Sequence, residues 1–238
     1  MRRTIAYNRV LVKLSGESFG SGIKSIDPLK LAGIARELVR VKKLGCEIAV
    51  VVGGGNLWRK REQGKGMNAI TADYLGMLAT VMNGLALKQE LKKIGAAASV
   101  QSYLAKDTPG IEPINATKAR RSIKKQIIIY VSGTGKPFVT TDTAAAIHAA
   151  SIKAEAIIKV GPADGVYSAD PKKNRRAKMF VEISASEAIG RKLGFMDLSA
   201  LKLCSRSRIS VIVCRWHKKI PSFTLPAILA GSLLPRTC

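Results

Sequence analysis

Residues 133–146 read Gly-Thr-Gly-Lys-Pro-Phe-Val-Thr-Thr-Asp-Thr-Ala-Ala-Ala, directly after the apolar run Ile127-Ile128-Ile129-Tyr130-Val131 and the single residue Ser132. A short apolar, β-branched run bounded by glycine has the pattern of a buried strand, and the alanine-rich continuation has the pattern of a helix. Between them, glycines allow backbone N–H groups to approach a ligand closely. The helix start adds unpaired donors and the positive end of a dipole. Thr140, Thr141 and Thr143 bring hydroxyls, and Asp142 is placed either to cap the helix or to face a cation. The unit predicts an anion pocket, most simply for phosphate. Taken alone, these residues also fit an ordinary βα loop with a capped helix.

The same grammar recurs on both sides of this stretch. Arg9–Leu14 is a short apolar strand running into Lys13-Leu14-Ser15-Gly16-Glu17, a lysine and a Ser-Gly turn at a strand's carboxyl end, which suits a phosphate-facing loop. A Gly-Ser loop over 20–25 leads to Ile26-Asp27-Pro28, a helix start, and Leu31, Ile34, Leu38 and Val41 keep helical spacing up to Gly45. Glu47–Val52 is a second buried strand, ending in Gly53-Gly54-Gly55-Asn56-Leu57-Trp58-Arg59. This is not a dinucleotide fingerprint, because Trp58 stands where the third glycine would be, and Gly135-Lys136 is not a Walker A loop, because Pro137 follows the lysine.

Residues 60–65 read as a polar loop and 67–91 as one long helix in which Asp73 is a lone carboxylate among small and apolar residues. It is either a solvated helix charge or an acceptor for sugar hydroxyls. Residues 96–101 predict a strand, 115–125 a basic helix, 156–160 a strand and 164–167 a turn. Residues 184–191 predict a helix, a further helix opens at Met196-Asp197-Leu198, and 209–214 is the last strand. Strands alternating with helices predict an α/β fold: a mostly parallel central sheet with helices on both faces, three layers, as a single domain over 1–238.

The composition, 47% hydrophobic with 5% aromatic, fits such a core. Forty Lys and Arg against sixteen Asp and Glu give a net charge of +24. The basic clusters at 118–125 and 172–178 carry no interleaved aromatics, the one at 215–219 carries only Trp216, and none contains a nucleic-acid module, so they read as solvated surface. A basic nucleic-acid-binding protein is the alternative function. Cys46, Cys204, Cys214 and Cys238 form no CxxC pair, and His148 and His217 have no ligand partner in sequence, so no protein metal site is expected. No apolar run reaches membrane-spanning length and the first residues lack a signal-peptide core, so a cytoplasmic protein without a membrane partner is expected.

Six stretches occur in one order: Val-Lys-Leu-Ser-Gly-Glu, Gly-Gly-Gly-Asn-Leu-Trp-Arg, Ala-Asp-Tyr-Leu-Gly-Met-Leu-Ala-Thr-Val-Met-Asn-Gly-Leu-Ala, the Gly-Thr-Gly-Lys-Pro-Phe-Val-Thr-Thr-Asp-Thr-Ala-Ala loop, Asp-Gly-Val-Tyr-Ser-Ala-Asp-Pro and Met-Asp-Leu. Together they resemble the bacterial uridylate (UMP) kinases of the amino-acid-kinase fold, over about residues 9–213. The resemblance implies transfer of the ATP γ-phosphate to UMP with Mg²⁺, in a homohexamer regulated by GTP and UTP. It implies ATP binding by Lys13, Leu14, Ser15, Gly16, Gly55, Arg59, Gly161, Tyr167 and Asp170. For UMP it implies Gly54, Asp73, Thr134, Gly135, Lys136, Pro137, Phe138, Val139, Thr140 and Thr141, with Asp73 toward the ribose. Lys13 and Arg59 are the expected cations on the transferring phosphate, and Asp142 and Asp197 are expected to orient Lys13 or to hold the metal. The chain departs from the family pattern at Lys136, usually Asn, at Gly161-Pro162, usually Thr-Lys, at Ala69, commonly Arg, and at Cys214-Arg215-Trp216, usually Phe-Asn. The 20–25 loop lacks the Gly-Phe-Gly pattern that some members use around GTP, which weakens the case for GTP activation.

Overall fold

The computed structural model describes residues 6–104, 107–215 and 236–237. His217 and Cys238 and most of the basic 215–219 cluster lie outside them. In chain order the strands and helices are β1 (Arg9–Leu14), α1 (Pro28–Lys43), β2 (Glu47–Val52), α2 (Lys60–Gln63), α3 (Ala69–Lys93), β3 (Ala98–Ser102), β4 (Ile111–Pro113) and α4 (Ala116–Ser122). They continue as β5 (Ile127–Val131), α5 (Thr141–Ile152), β6 (Ala156–Gly161), β7 (Glu182–Ile183), α6 (Ala185–Gly190), α7 (Leu198–Arg206), β8 (Ser210–Arg215) and β9 (Arg236–Thr237). The sheet order is β4-β3-β5-β2-β1-β6-β8-β9-β7. The run from β4 to β8 is parallel throughout, and β9 pairs antiparallel with β8.

β1 lies between β2 and β6, so the chain leaves it first toward one edge and later toward the other. That reversal opens a crevice at the carboxyl ends of β1, β2 and β6, the usual ligand position in an open α/β sheet. The period-2 alternation of each strand divides the core. Val10, Val12, Leu14, Ile48 and Val50 pack with Ile34, Leu38, Leu87 and Leu91 of α1 and α3. Leu11, Ala49, Val51 and Ile157 pack with Ala145, Ala149 and Leu201 of α5 and α7. The alanines of α5 let that helix lie close to the sheet, which brings its first turn down onto the strand ends.

Local signals set the helix starts. Asp27 caps α1 with Pro28 in its first turn, Asn68 caps α3, and Ser184 caps α6. The expected loop over 60–65 contains a helical turn, α2. The short strands β4, β7 and β9 have too few residues for a periodicity signal and were not expected. By length and composition α3 is apolar enough to cross a membrane, contrary to the sequence expectation. It instead packs along α1, β3 and β5, where Gly84 allows contact so close that a Cβ would lie 2.3 Å from Val131 Cγ1.

Candidate active site

Lys13 and Lys159 are register partners across β1 and β6 and fall on the face that α5 covers. Two ammonium groups on neighbouring strands repel unless an anion separates them. Asp142, in the first turn of α5, does so: Lys13 Nζ lies 3.0 Å from Oδ1 and Lys159 Nζ 2.5 Å from Oδ2. Lys159 also donates to the Phe195 carbonyl. Burial alone would raise the Asp142 carboxyl, but the two ammonium groups outweigh it and hold the pKa below the ordinary 3.8. For Lys159 burial prevails and lowers the pKa below 10.5, against the opposing pull of Asp142. Two cations share one carboxylate, so the floor of the crevice is short of one negative charge. Lys159 was missed in the sequence, where its only signal is a lone charge inside an otherwise buried strand.

Asp197 makes no ion pair with Lys13 among the described residues. It stands at the start of α7 without capping it, and its carboxylate accepts from Thr140 and from Thr143 Oγ1, the latter at 3.2 Å. Thr140 is the cap of α5, accepting from Thr143 N at 3.2 Å. Asp197 thus braces the helix start that carries Asp142, at one remove from Lys13.

The glycine loops stack backbone on backbone. A Cβ on Gly16 would lie 2.2 Å from Gly55 N, Ser15 N donates to Val160 O at 3.0 Å, and Gly53 N donates to Leu14 O at 2.8 Å. The fully buried Asn83 of α3 ties this turn, donating to Gly53 O at 2.8 Å and Asn56 Oδ1 at 2.7 Å. Asn83 falls inside the family-like stretch over 72–86, where the sequence assigned it no role.

On the α3 side of β1, Gly54, Gly55, Asp73, Lys136, Thr140 and Thr141 line a cleft of about 280 Å³ that Val139 and Gly133 also border. Asp73 is already engaged: Oδ1 accepts from Lys60 Nζ and Oδ2 from Phe138 N, both at 2.9 Å. Burial raises this carboxyl, and the Lys60 and Phe138 donors reverse the effect, leaving it below 3.8. Phe138, after Pro137, has φ 63° and is 71% exposed, with Lys60 Nζ 5.2 Å from its ring centroid. Gly135 has φ 72° and abuts Tyr103, and Thr134 Oγ1 is buried with no hydrogen-bond partner among the described residues. His148 lies beneath this loop, stacked on Tyr130 at 4.1 Å, with Nε2 3.2 Å from Gly133 O. Burial pushes its pKa down to about 4, so near neutral pH the Nε2 proton is donated to that carbonyl from an uncharged ring.

On the β6 side, Ser15, Ser18, Lys30, Gly161, Pro162 and Arg215 line a smaller cleft of about 160 Å³. Tyr167 lies beyond it, donating to Asp164 Oδ1 at 3.0 Å, and Asp170 accepts from Lys172 N at 3.0 Å in a local turn. Arg59 is on the rim, paired with Glu17 at 2.6 Å, and borders a separate hollow with Gly20, Gly55 and Asn56. The fold therefore joins Lys13 and Asp142 and keeps Arg59, Tyr167 and Asp170 apart from them. Cys46, Cys204 and Cys214 are buried in the core, away from these clefts. No group of three His, Cys, Asp or Glu residues placed to hold a metal occurs among the described residues.

Two clefts flanking one strand, glycine loops and a lysine pair define a phosphotransferase of the open α/β class. The profile of the amino acid kinase family matches residues 8–215, and the chain belongs to that family. Its fold is that of the UMP kinases. The crystal structure of UMP kinase from Ureaplasma parvum superposes with a TM-score of 0.87 at 32% identity, covering 97% of each chain. UMP kinase from Bacillus anthracis gives 0.89 at 29% identity, covering 97% of this chain and 94% of that one. Uridylate kinase from Archaeoglobus fulgidus gives 0.69 at 28%, covering 87% and 90%.

Proposed function

We propose that this protein is a uridylate kinase that transfers the γ-phosphate of ATP to UMP, giving ADP and UDP. The observation that carries the reading is the Lys13–Asp142–Lys159 group on the floor between the two clefts. A UMP phosphate oxygen attacks the γ-phosphorus and the bond to the β–γ bridging oxygen breaks, leaving ADP. The attacking phosphate has its second pKa near about 6, so it is largely ionised at neutral pH and needs no general base. A carboxylate held by two lysines, as Asp142 is, suits such a reaction. The charge that spreads over the transferring group is met by Lys13 and Lys159, aided by the backbone N–H groups of the glycine loops.

UMP takes the larger cleft, with Asp73 toward the ribose and its phosphate toward the 134–141 loop and Gly54. ATP takes the β6 side, along Ser15, Gly16 and Gly161, with Tyr167 and Asp170 outermost. Mg²⁺ enters with ATP, as part of that substrate, while Asp142 faces the two lysines and Asp197 the threonines.

The homohexamer that the resemblance implies has a candidate contact face. Ile70, Tyr74, Leu78 and Met82 recur every four residues along α3 and are 46%, 38%, 46% and 54% exposed, an apolar stripe that a second copy would cover. A coupled assay for ADP release tests the reading, with ATP, Mg²⁺ and UMP, CMP, AMP or GMP in turn. Turnover with UMP well above the others is the expected result. A folded protein inactive with all four would overturn it.

A further inference from the structure

The donor-side cleft lacks a side-chain donor where it most needs one. β6 ends at Gly161, which has no side chain, and Pro162 follows with neither a polar group nor a backbone N–H. Lys30 also lines the cleft, but its ammonium is spent on the carbonyls of Gly20 and Glu17. Glu17, the acid at its edge, is paired with Arg59.

Arg215 fills the gap from the neighbouring strand. It is the register partner of Gly161 across β6 and β8. Its Nε donates to Pro162 O at 2.7 Å, which fixes the side chain over the mouth of the cleft. The two terminal nitrogens, four N–H donors in a planar fork, have no protein acceptor among the described residues. Nor does any carboxylate there form an ion pair with this guanidinium. It lines the cleft together with Ser15, Ser18 and Gly161, along which the donor nucleotide lies in the reading above.

We propose that Arg215 is a binding residue for the donor nucleotide, gripping the polyphosphate of the triphosphate with a cation that the end of β6 does not supply. A guanidinium fork held at Nε suits bidentate capture of phosphate oxygens. The inference rests on the assignment of this cleft to ATP, and it makes the arginine a determinant of affinity for the phosphates, with no part in the chemical step.

Calorimetric titration of the full chain with ATP, ADP and AMP, beside steady-state kinetics, tests it. Arg215→Ala should weaken ATP binding roughly ten- to a hundredfold. It should weaken ADP less and AMP least, and should raise KM for ATP while leaving kcat and the KM for UMP near wild type. Arg215→Lys should recover part of the loss. An Arg215→Ala protein that melts like wild type and binds ATP within twofold of it overturns the inference and leaves the kinase reading standing. Wild-type protein that binds none of the three nucleotides overturns both.

Discussion

The floor and the rim of the crevice are built by different means. On the floor, Lys13, Lys159 and Asp142 stand on β1, β6 and the first turn of α5, with side chains only 13%, 18% and 14% exposed. Their geometry is set by strand register and helix packing, so it is in place before substrate arrives. On the rim, Arg59–Glu17 and Lys60–Asp73 join loops and helix ends, and three of the four side chains are 42–47% exposed. Those pairs are screened by water and contribute little to stability. A substrate can take one partner of a rim pair from the other at small cost, whereas on the floor it meets fixed charge. On the proposed reading, preorganisation for chemistry falls to the sheet and recognition to the loops.

The comparison breaks first if the floor does not govern the rate. Lys13→Ala should lower kcat by about two to three orders of magnitude, with KM values for ATP and UMP changing far less, by steady-state assay. Next, Asp142→Ala leaves two lysines facing each other and should cost about 3–5 kcal/mol of stability in denaturant unfolding. Replacing Lys13 and Lys159 by Met in that background should return most of it. If it does not, the loss is one of packing and the electrostatic account fails.

On the rim, Asp73→Asn should raise KM for UMP by roughly ten- to a hundredfold with little effect on kcat. The loop beneath offers a pH test. His148 has its pKa lowered by burial from 6.5 to about 4, so the unfolded chain takes up a proton first as pH falls. Stability is full above about 6.5 and declines down to about pH 4, by on the order of 3 kcal/mol. A His148→Gln variant should lose that slope in thermal or urea unfolding. Glu17→Ala, which breaks an exposed pair, should change stability by no more than about 1 kcal/mol. A larger loss would show that the rim is as preorganised as the floor.

The strands β1, β2, β3, β5, β6 and β8, the long helix α3 and the glycine loops were legible because each has a local cause. Arg9–Leu14 and Glu47–Val52 are continuous apolar runs stopped by glycine or Ser-Gly, and Asp27-Pro28 marks a helix start. Asp142 was legible only as an ambiguity between cap and counterion. Thr140 took the cap, and the lysines took the aspartate. Lys159, Asn83 and the clamp of Tyr103 and His148 on the 133–135 turn were not legible, because each acts on residues at least 13 positions away in the chain.

The pairings on the rim could not be read either. Lys60 on Asp73 and Glu17 on Arg59 depend on which loops the sheet order brings together. Residue type and short-range spacing alone determined the α/β class, the phosphate-type loops and the family motifs, because glycine turns, caps and apolar periodicity are enforced within a few residues. The tertiary structure alone decided which charges meet. That choice follows from strand register and from the close seat of an alanine-rich helix, which together place two lysines and one aspartate within ion-pair distance at the end of β1.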